Sequence, residues 1–252
     1  MFKIMCGHYQ TPYNVQLSNL GVGYDICWAD LPHRSVLDVQ LSAEYVAYII
    51  GYLAKRSVAT DNKIQVIGHS QGGGNDIQWA LTFWPSIQKH VTNYVALSGP
   101  FKGISPHICK RLSFLGGCIP VVVQLSANSN YIAAQNSIVD GNSGAKALVP
   151  TTSIYTRYDE VIQNQAYDES ASSYLPGAKV LALQNSSLCG KRHISNHAEM
   201  TFDPAAFNLA ADAIQHPRSS SLENFDRSTC GHQGMFRAPF ILNHWGCVHG
   251  SI

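Results

Sequence analysis

One short segment, Gly68-His69-Ser70-Gln71-Gly72, constrains the fold of this chain more than any other feature. It directly follows the strand-like run 64–67 and directly precedes a stretch with helical spacing. Gly-x-Ser-x-Gly between a strand and a helix is typical of a nucleophile elbow, a sharp turn that presents the Ser hydroxyl to a substrate. Glycine on both sides leaves room for the adjoining strand and helix. The five residues are a weak pattern by themselves, so the prediction depends on the elements and partners around them.

Length and charge limit the classes of protein to consider. The 252 residues fit one large α/β domain over 1–252. Charged residues make up 13% and the net charge is +1, which argues against a nucleic-acid partner. No apolar stretch approaches the roughly 20 residues of a membrane span. We therefore expect a monomer without an integral membrane span.

The seven cysteines do not show the paired spacing of a zinc site, and we expect neither a metal nor a cofactor. An even subset of them could form disulfides in an oxidising compartment. The N-terminus shows no signal peptide.

Periodicity predicts alternating strands and helices. Asp38 or Ser42 caps a helix over about 39–56, and apolar spacing predicts a second helix after the elbow that Pro85 ends. Strands are predicted at 2–5, 24–28, 64–67, 91–97, 151–156 and 179–183. This alternation indicates a mainly parallel central sheet with helices on both faces. We expect 103–150 to be a loop-prone, cap-like region that binds substrate, and 214–252 to be a C-terminal cover.

A Ser nucleophile needs an imidazole base and a carboxylate that orients it, in the chain order Ser, acid, His for an α/β-hydrolase. The turn after strand 151–156 contains Asp159, with Glu160, Asp140 and Asp168 as weaker alternatives. The loop after strand 179–183 carries His193 and His197, between which composition does not choose. An Asp in such a turn is also a common helix cap.

Several motifs in matching order resemble the fungal lipase B family. The most specific are Val149-Pro150-Thr151-Thr152 followed by Asp159-Glu160-Val161; others are Tyr24-Asp25-Ile26-Cys27-Trp28, Ser70-Gln71-Gly72-Gly73, Gln78-Trp79-Ala80-Leu81, Asn196-His197-Ala198 and Arg237-Ala238-Pro239-Phe240. The resemblance spans most of 13–240. It implies an α/β-hydrolase fold with Ser70 as nucleophile, Asp159 as orienting acid and His197 as base.

The resemblance also implies an oxyanion hole formed by the backbone N–H of Gln71 and a donor in an early loop. That loop corresponds to 6–11, which lacks the family's Gly-Thr-Gly pattern, so His8 or Thr11 would supply the second donor. We expect His69, where the family's type member has Trp, to contact the substrate together with Gln124 and Val161.

For the thiols, the resemblance suggests a Cys189–Cys230 disulfide, with Cys247 as another partner for Cys230. Cys109 and Cys118 are close enough in sequence for a local bridge, and Cys27 and Cys6 would be free or joined to each other. The front end resembles a shortened one, which implies that the N-terminal edge of the sheet is truncated and that a signal peptide of a secreted protein lies outside this sequence.

The leading hypothesis is a secreted serine ester hydrolase, a lipase or esterase acting through an acyl-enzyme on Ser70, with transesterification as the same chemistry. Its partner is a small-molecule or lipid ester, with transient contact to a lipid interface. The alternative is a catalytically impaired or truncated homologue with a binding role.

Overall fold

A computed structural model describes residues 2–4, 12–21, 23–111, 118–217 and 222–231. Its centre is a six-stranded sheet of β1 (Phe2–Ile4), β2 (Cys27–Trp28), β3 (Ile64–His69), β4 (Val91–Leu97), β7 (Thr151–Tyr155) and β8 (Lys179–Ala182). The strands lie in the order β2-β1-β3-β4-β7-β8, and every neighbouring pair is parallel. The predicted parallel α/β architecture is confirmed.

Seven helices accompany the sheet in the described ranges: α1 (Pro12–Ser18), α2 (Val39–Arg56), α3 (Ile77–Phe83), α4 (Ile108–Arg111), α5 (Pro120–Leu125), α6 (Asn130–Gln135) and α7 (Pro204–Gln215). No helix among these residues is both long and apolar enough to cross a membrane.

The helices cover both faces of the sheet because strand side chains alternate between them. Val66 and Tyr94 pack in one buried cluster with Ile50 of α2 and Leu81 of α3. On the other face, Ile67, Val95 and Leu97 pack with Leu209 and Ile214 of α7 and with Leu17 of α1. Nearly continuous burial of β4 and β7 is what a parallel sheet between two helical layers requires.

The second helix follows the sequence prediction closely. Asp38 caps it by accepting a hydrogen bond from the N–H of Gln40 at 2.8 Å, and Lys55 and Arg56 occupy the last turn, where the helix dipole favours cations. The predicted helix over 39–56 is confirmed.

The described part of 103–150, which was expected to be loop-prone, consists of short elements separated by turns and bends, and its predicted role in substrate binding stays a prediction. It contains α4, α5 and α6, and a hairpin of β5 (Ile138–Val139) and β6 (Asn142–Ser143). Polar residues that suggested loops instead end these elements: Ser129 caps α6 through the N–H of Ile132 at 3.1 Å. Asp140 and Gly141 both have positive φ, as a two-residue hairpin turn requires.

The helix α7 was not predicted, although Asp203-Pro204 is a typical helix start. Asp203 accepts hydrogen bonds from the N–H groups of Ala205 and Ala206 at 2.9 and 3.0 Å, and Pro204 occupies the first turn. The predicted C-terminal cover 214–252 is described only for 214–217 and 222–231.

Two disulfides join described residues. Cys109 is bonded to Cys118 and Cys189 to Cys230, whereas Cys27 forms no disulfide within the described part of the chain. Cys6 and Cys247, the other partners considered, lie outside the described residues.

Candidate active site

Ser70 lies at the sharp turn where β3 ends. Its φ is +56°, a left-handed conformation that is uncommon for a residue with a side chain. The turn is fixed by backbone bonds: the N–H of Ser70 donates to Leu97 O at 2.9 Å, and the N–H groups of Gly73 and Gly74 donate to Ser70 O at 3.0 and 2.9 Å. Strain held by surrounding structure at a nucleophile is typical of an elbow.

The strand and the following turn approach each other closely at the elbow, which explains why glycines occupy it. A Cβ on Gly68 would lie 2.5 Å from Gly72 O, and one on Gly73 would lie 2.4 Å from Gly68 O. The chain then continues as one π-helical turn, Gly72–Asp76, before α3 begins. Only glycine allows the strand and the following turn to approach so closely.

Ser70, His197 and Asp159 form one chain of hydrogen bonds. Ser70 Oγ lies 2.8 Å from His197 Nε2, and His197 Nδ1 lies 2.8 Å from Asp159 Oδ2. Since the carboxylate oxygen accepts, Nδ1 carries the proton and Nε2 is free to accept from the Ser hydroxyl. This arrangement can remove the Ser proton and stabilise the imidazolium that results.

The sheet brings these three residues together because they follow parallel strands. Ser70 follows β3, Asp159 follows β7 and His197 lies in the loop after β8, so all three lie at the carboxyl edge. This is the edge at which open α/β sheets bind ligands.

Asp159 has its two oxygens engaged differently. Oδ1 accepts the N–H groups of Val161 and Ile162 at 3.0 and 2.6 Å, while Oδ2 binds His197. The carboxyl group is buried, with its residue 3% exposed. The capping geometry considered from the sequence and the contact to His197 therefore occur together in one side chain.

His193, the other candidate base, forms hydrogen bonds with Asp203 and Gly231. Its residue is buried, its Nε2 lies 2.8 Å from Asp203 Oδ2, and its Nδ1 accepts the N–H of Gly231 at 3.1 Å. Both ring nitrogens are thus engaged, so this imidazole links its loop to α7 and to the segment after Cys230.

The weaker acid candidates also have other partners. Glu160 Oε2 accepts the backbone N–H of His197 at 3.0 Å, and Asp168 Oδ1 accepts the N–H of Ser170 at 2.8 Å. Asp140 lies in the turn of the β5–β6 hairpin.

Beneath the elbow lies a buried carboxyl group that the sequence did not reveal. Gln71 Nε2 donates to Asp76 Oδ1 at 3.1 Å, and both residues are buried. Loss of solvation on burial raises the pKa of Asp76 to about 7, and the Gln71 hydrogen bond partly opposes that rise. No periodicity signal distinguishes such an Asp from a surface residue at the start of a helix.

The residues that were predicted to contact the substrate lie in different parts of the structure. His69 Nε2 lies 2.9 Å from His197 O. Gln124 connects α5 to the start of α2, with Oε1 accepting the N–H of Val39 at 2.8 Å. Val161 packs against the apolar cluster of α5 and α6. His8 and Thr11 lie outside the described residues, and substrate contact by the other three stays a prediction.

Asp159 also lines an open polar cavity of about 530 Å³ together with Ser105, Arg157, Gln163, Asn164 and Gln165. Ser70 and His197 are not among the lining residues of this cavity.

Comparison with known proteins gives three consistent findings. A family model described as lipase (class 2) matches residues 21–200. Lipase B of Pseudozyma antarctica is 33% identical over 195 residues, which are 77% of this chain and 54% of that protein. The crystal structure of Aspergillus fumigatus lipase B matches with a TM-score of 0.75 at 31% identity, over 92% of this chain and 56% of that one. The chain thus spans about half the length of both relatives.

Proposed function

The chain belongs to the class 2 lipase family and has the α/β-hydrolase fold, and from that premise we propose that it is a serine hydrolase of carboxylic esters. The reaction passes through an acyl-enzyme on Ser70, with His197 as general base and Asp159 as the acid that orients it. The single observation that carries the proposal is the pair of 2.8 Å contacts from Ser70 Oγ to His197 and from His197 to Asp159.

In the first half-reaction, Ser70 Oγ attacks the ester carbonyl and its proton passes to His197 Nε2. The backbone N–H of Gln71 stabilises the oxyanion, with a second donor from His8 or Thr11. When the tetrahedral intermediate collapses, the alcohol leaves with the proton from His197 and the acyl group remains on Ser70.

In the second half-reaction, His197 takes a proton from water, whose oxygen attacks the acyl carbonyl. The acid is released and Ser70 regains its proton. An alcohol in place of water gives a new ester by the same steps, so transesterification requires no additional residue.

We propose lipid or other carboxylic esters as substrates and an extracellular location. The two disulfides support an oxidising compartment, since such bonds persist there and are rare in the cytosol. None of the described contacts around Ser70 favours the alternative of an impaired binding protein.

The test compares wild-type protein with Ser70→Ala on p-nitrophenyl esters of short and long acyl chains and on an emulsified triglyceride. We expect wild-type turnover and a loss of at least about 10,000-fold in Ser70→Ala, because the nucleophile is absent. Equal turnover in the two proteins would contradict the proposal. The acyl chain at which kcat/KM is highest separates an esterase from a lipase.

A further inference from the structure

We propose that His69 and Glu160 are positioning residues that hold the backbone of His197, one through its C=O and the other through its N–H, and so fix the imidazole between Ser70 and Asp159. The inference rests on the proposed function. It assigns to two side chains outside the Ser–His–Asp chain a role in the alignment of that chain.

The contact from His69 comes from the strand that carries the nucleophile. Its Nε2 lies 2.9 Å from the carbonyl oxygen of His197. Because a carbonyl can only accept, Nε2 must carry a proton and donate. The two imidazole rings lie 4.6 Å apart and are tilted by 42°, so this contact and the Ser70 contact reach the same residue from adjacent positions of one strand end.

The contact from Glu160 comes from the turn that carries the acid. Its Oε2 accepts the N–H of His197 at 3.0 Å, while the preceding residue, Asp159, accepts from Nδ1 of the same His. A hydrogen bond to a carboxylate is about twice as strong as a neutral one. Adjacent residues of one turn therefore hold the backbone and the ring of His197.

Other hydrogen bonds in the loop around His197 are made by the neighbouring residues. Asn196 and Glu199 bond reciprocally, with the N–H of each donating to the side chain of the other at 2.7 and 2.9 Å. Thr156 Oγ1 donates to Ser195 O at 2.6 Å. The N–H and the C=O of His197 are themselves bonded to Glu160 and His69, and these two contacts therefore restrain its Cα and, through it, the imidazole ring.

Turnover should fall if the imidazole of His197 is no longer aligned between Ser70 and Asp159. A displacement of about 1 Å at a catalytic group can lower turnover about 100-fold. Positioning of His197 by these two clamp residues, His69 and Glu160, should act on kcat and leave KM nearly unchanged, whereas the substrate contact predicted for His69 from the sequence would act on KM. Positioning should also act equally on every ester.

The experiment uses four variants of the full chain: His69→Ala and Glu160→Ala remove a contact, whereas His69→Gln retains a side-chain donor and Glu160→Gln retains an acceptor. His90→Ala is the matched control, because His90 Nδ1 makes the same kind of contact to Asn62 O at 2.9 Å on the exposed surface. The readouts are kcat and KM on esters that differ in acyl chain and in alcohol, the rate of labelling by a fluorophosphonate, and the urea midpoint.

We expect each Ala variant to lower kcat and the labelling rate by about 10-fold to 100-fold, with KM changed less than about twofold and an equal loss on every ester. The Gln variants should recover to within about threefold of wild type, and His90→Ala should match it. Urea midpoints identify any variant that fails to fold, and the remaining variants still test the other contact.

Unchanged kcat in folded His69→Ala and Glu160→Ala would overturn the inference. So would a loss confined to KM or to particular alcohols, since that pattern assigns substrate contact and not positioning. If wild-type protein neither labels nor hydrolyses any ester, the proposed function itself is wrong; if it does both while the Ala variants are normal, only the present inference is wrong.

Discussion

At the scale of single residues, the chain contains two similar Asp–His pairs, whose histidines, His193 and His197, lie four residues apart in one loop. Asp159 and Asp203 each accept two backbone N–H groups with Oδ1 and bind a His with Oδ2. The difference lies at the far nitrogen of each ring, which contacts Ser70 Oγ in His197 and the N–H of Gly231 in His193. One pair can therefore move a proton, and the other holds the loop to α7.

This pairing gives a matched test of the acid. Asp159→Asn keeps the shape of the side chain but favours the wrong imidazole tautomer, and we expect kcat to fall about 10,000-fold. Asp203→Asn should leave kcat within about threefold and lower the free energy of unfolding by about 1–3 kcal/mol. Ester kinetics and urea unfolding measure the two effects, and equal kcat losses in both variants would contradict the assignment of roles.

A second prediction concerns the buried carboxyl group of Asp76. Its folded pKa of about 7 lies above the ordinary value of 3.8, so the folded state binds a proton that the unfolded state has lost between these pH values. Stability must then fall as the pH rises through this window. Asp76→Asn does not titrate.

We therefore expect the free energy of unfolding of wild-type protein, relative to Asp76→Asn, to fall by about 3 kcal/mol between pH 5 and pH 8. Urea unfolding at several pH values measures it. Parallel curves for the two proteins would show that the pKa of Asp76 is not raised.

At the scale of elements, the strand–elbow–helix unit depends on backbone contacts that side chains would block. Gly73 faces the backbone of Gly68, whereas Gly51 in α2 has no heavy atom within 4 Å of an added Cβ. We expect Gly73→Ala to lower the free energy of unfolding by about 3 kcal/mol and to displace Ser70. Gly51→Ala should raise it by about 0.5–1 kcal/mol, because alanine favours helix.

Thermal unfolding and ester turnover of the two Gly variants test this difference. If Gly73→Ala were as stable and active as wild type, the close approach at the elbow would not exist.

Local signals decided which elements the sequence predicted. The start of α2 carries a cap at Asp38, and β4 ends in the apolar run Tyr94-Val95-Ala96-Leu97, so both were predicted at their observed bounds. The hairpin was missed because β5 and β6 have two residues each, too few for alternation to be seen, although Asp140-Gly141 is a hairpin turn signal. For α7, the local signal is the helix start at Asp203-Pro204.

The site was predictable to the extent that it follows chain order. The elbow and the turn after β7 indicated Ser70 and Asp159 from position alone. The choice between His193 and His197 required the family resemblance, because both lie in one loop and sequence contains no distances. The clamp residues His69 and Glu160 and the burial of Asp76 depend on tertiary contacts that no local pattern records.

At the scale of the whole molecule, the candidate active site assembles residues from three strand ends, and a disulfide joins the two ends of the segment that carries His197. Cys189–Cys230 closes a loop with a sequence separation of 41, which contains both His193 and His197, while Cys109–Cys118 closes one of 9. The longer loop restricts the unfolded chain more.

We expect replacement of Cys189 and Cys230 by Ser to lower the free energy of unfolding by about 4 kcal/mol, and replacement of Cys109 and Cys118 by Ser to lower it by about 3 kcal/mol. Only the first pair should also reduce ester turnover, because it encloses the loop of His197. Unfolding curves with matched kinetics measure both, and a larger kinetic loss from the Cys109 and Cys118 replacement would contradict the assignment.

The central claim is that Ser70 is a nucleophile activated by His197. The most direct measurement is the mass of intact protein after reaction with a fluorophosphonate, followed by peptide mapping of the modified residue. We predict one adduct per chain, located on Ser70, with no adduct on Ser70→Ala and greatly slowed labelling of His197→Ala. No adduct on folded wild-type protein, or an adduct on a residue other than Ser70, would contradict the account.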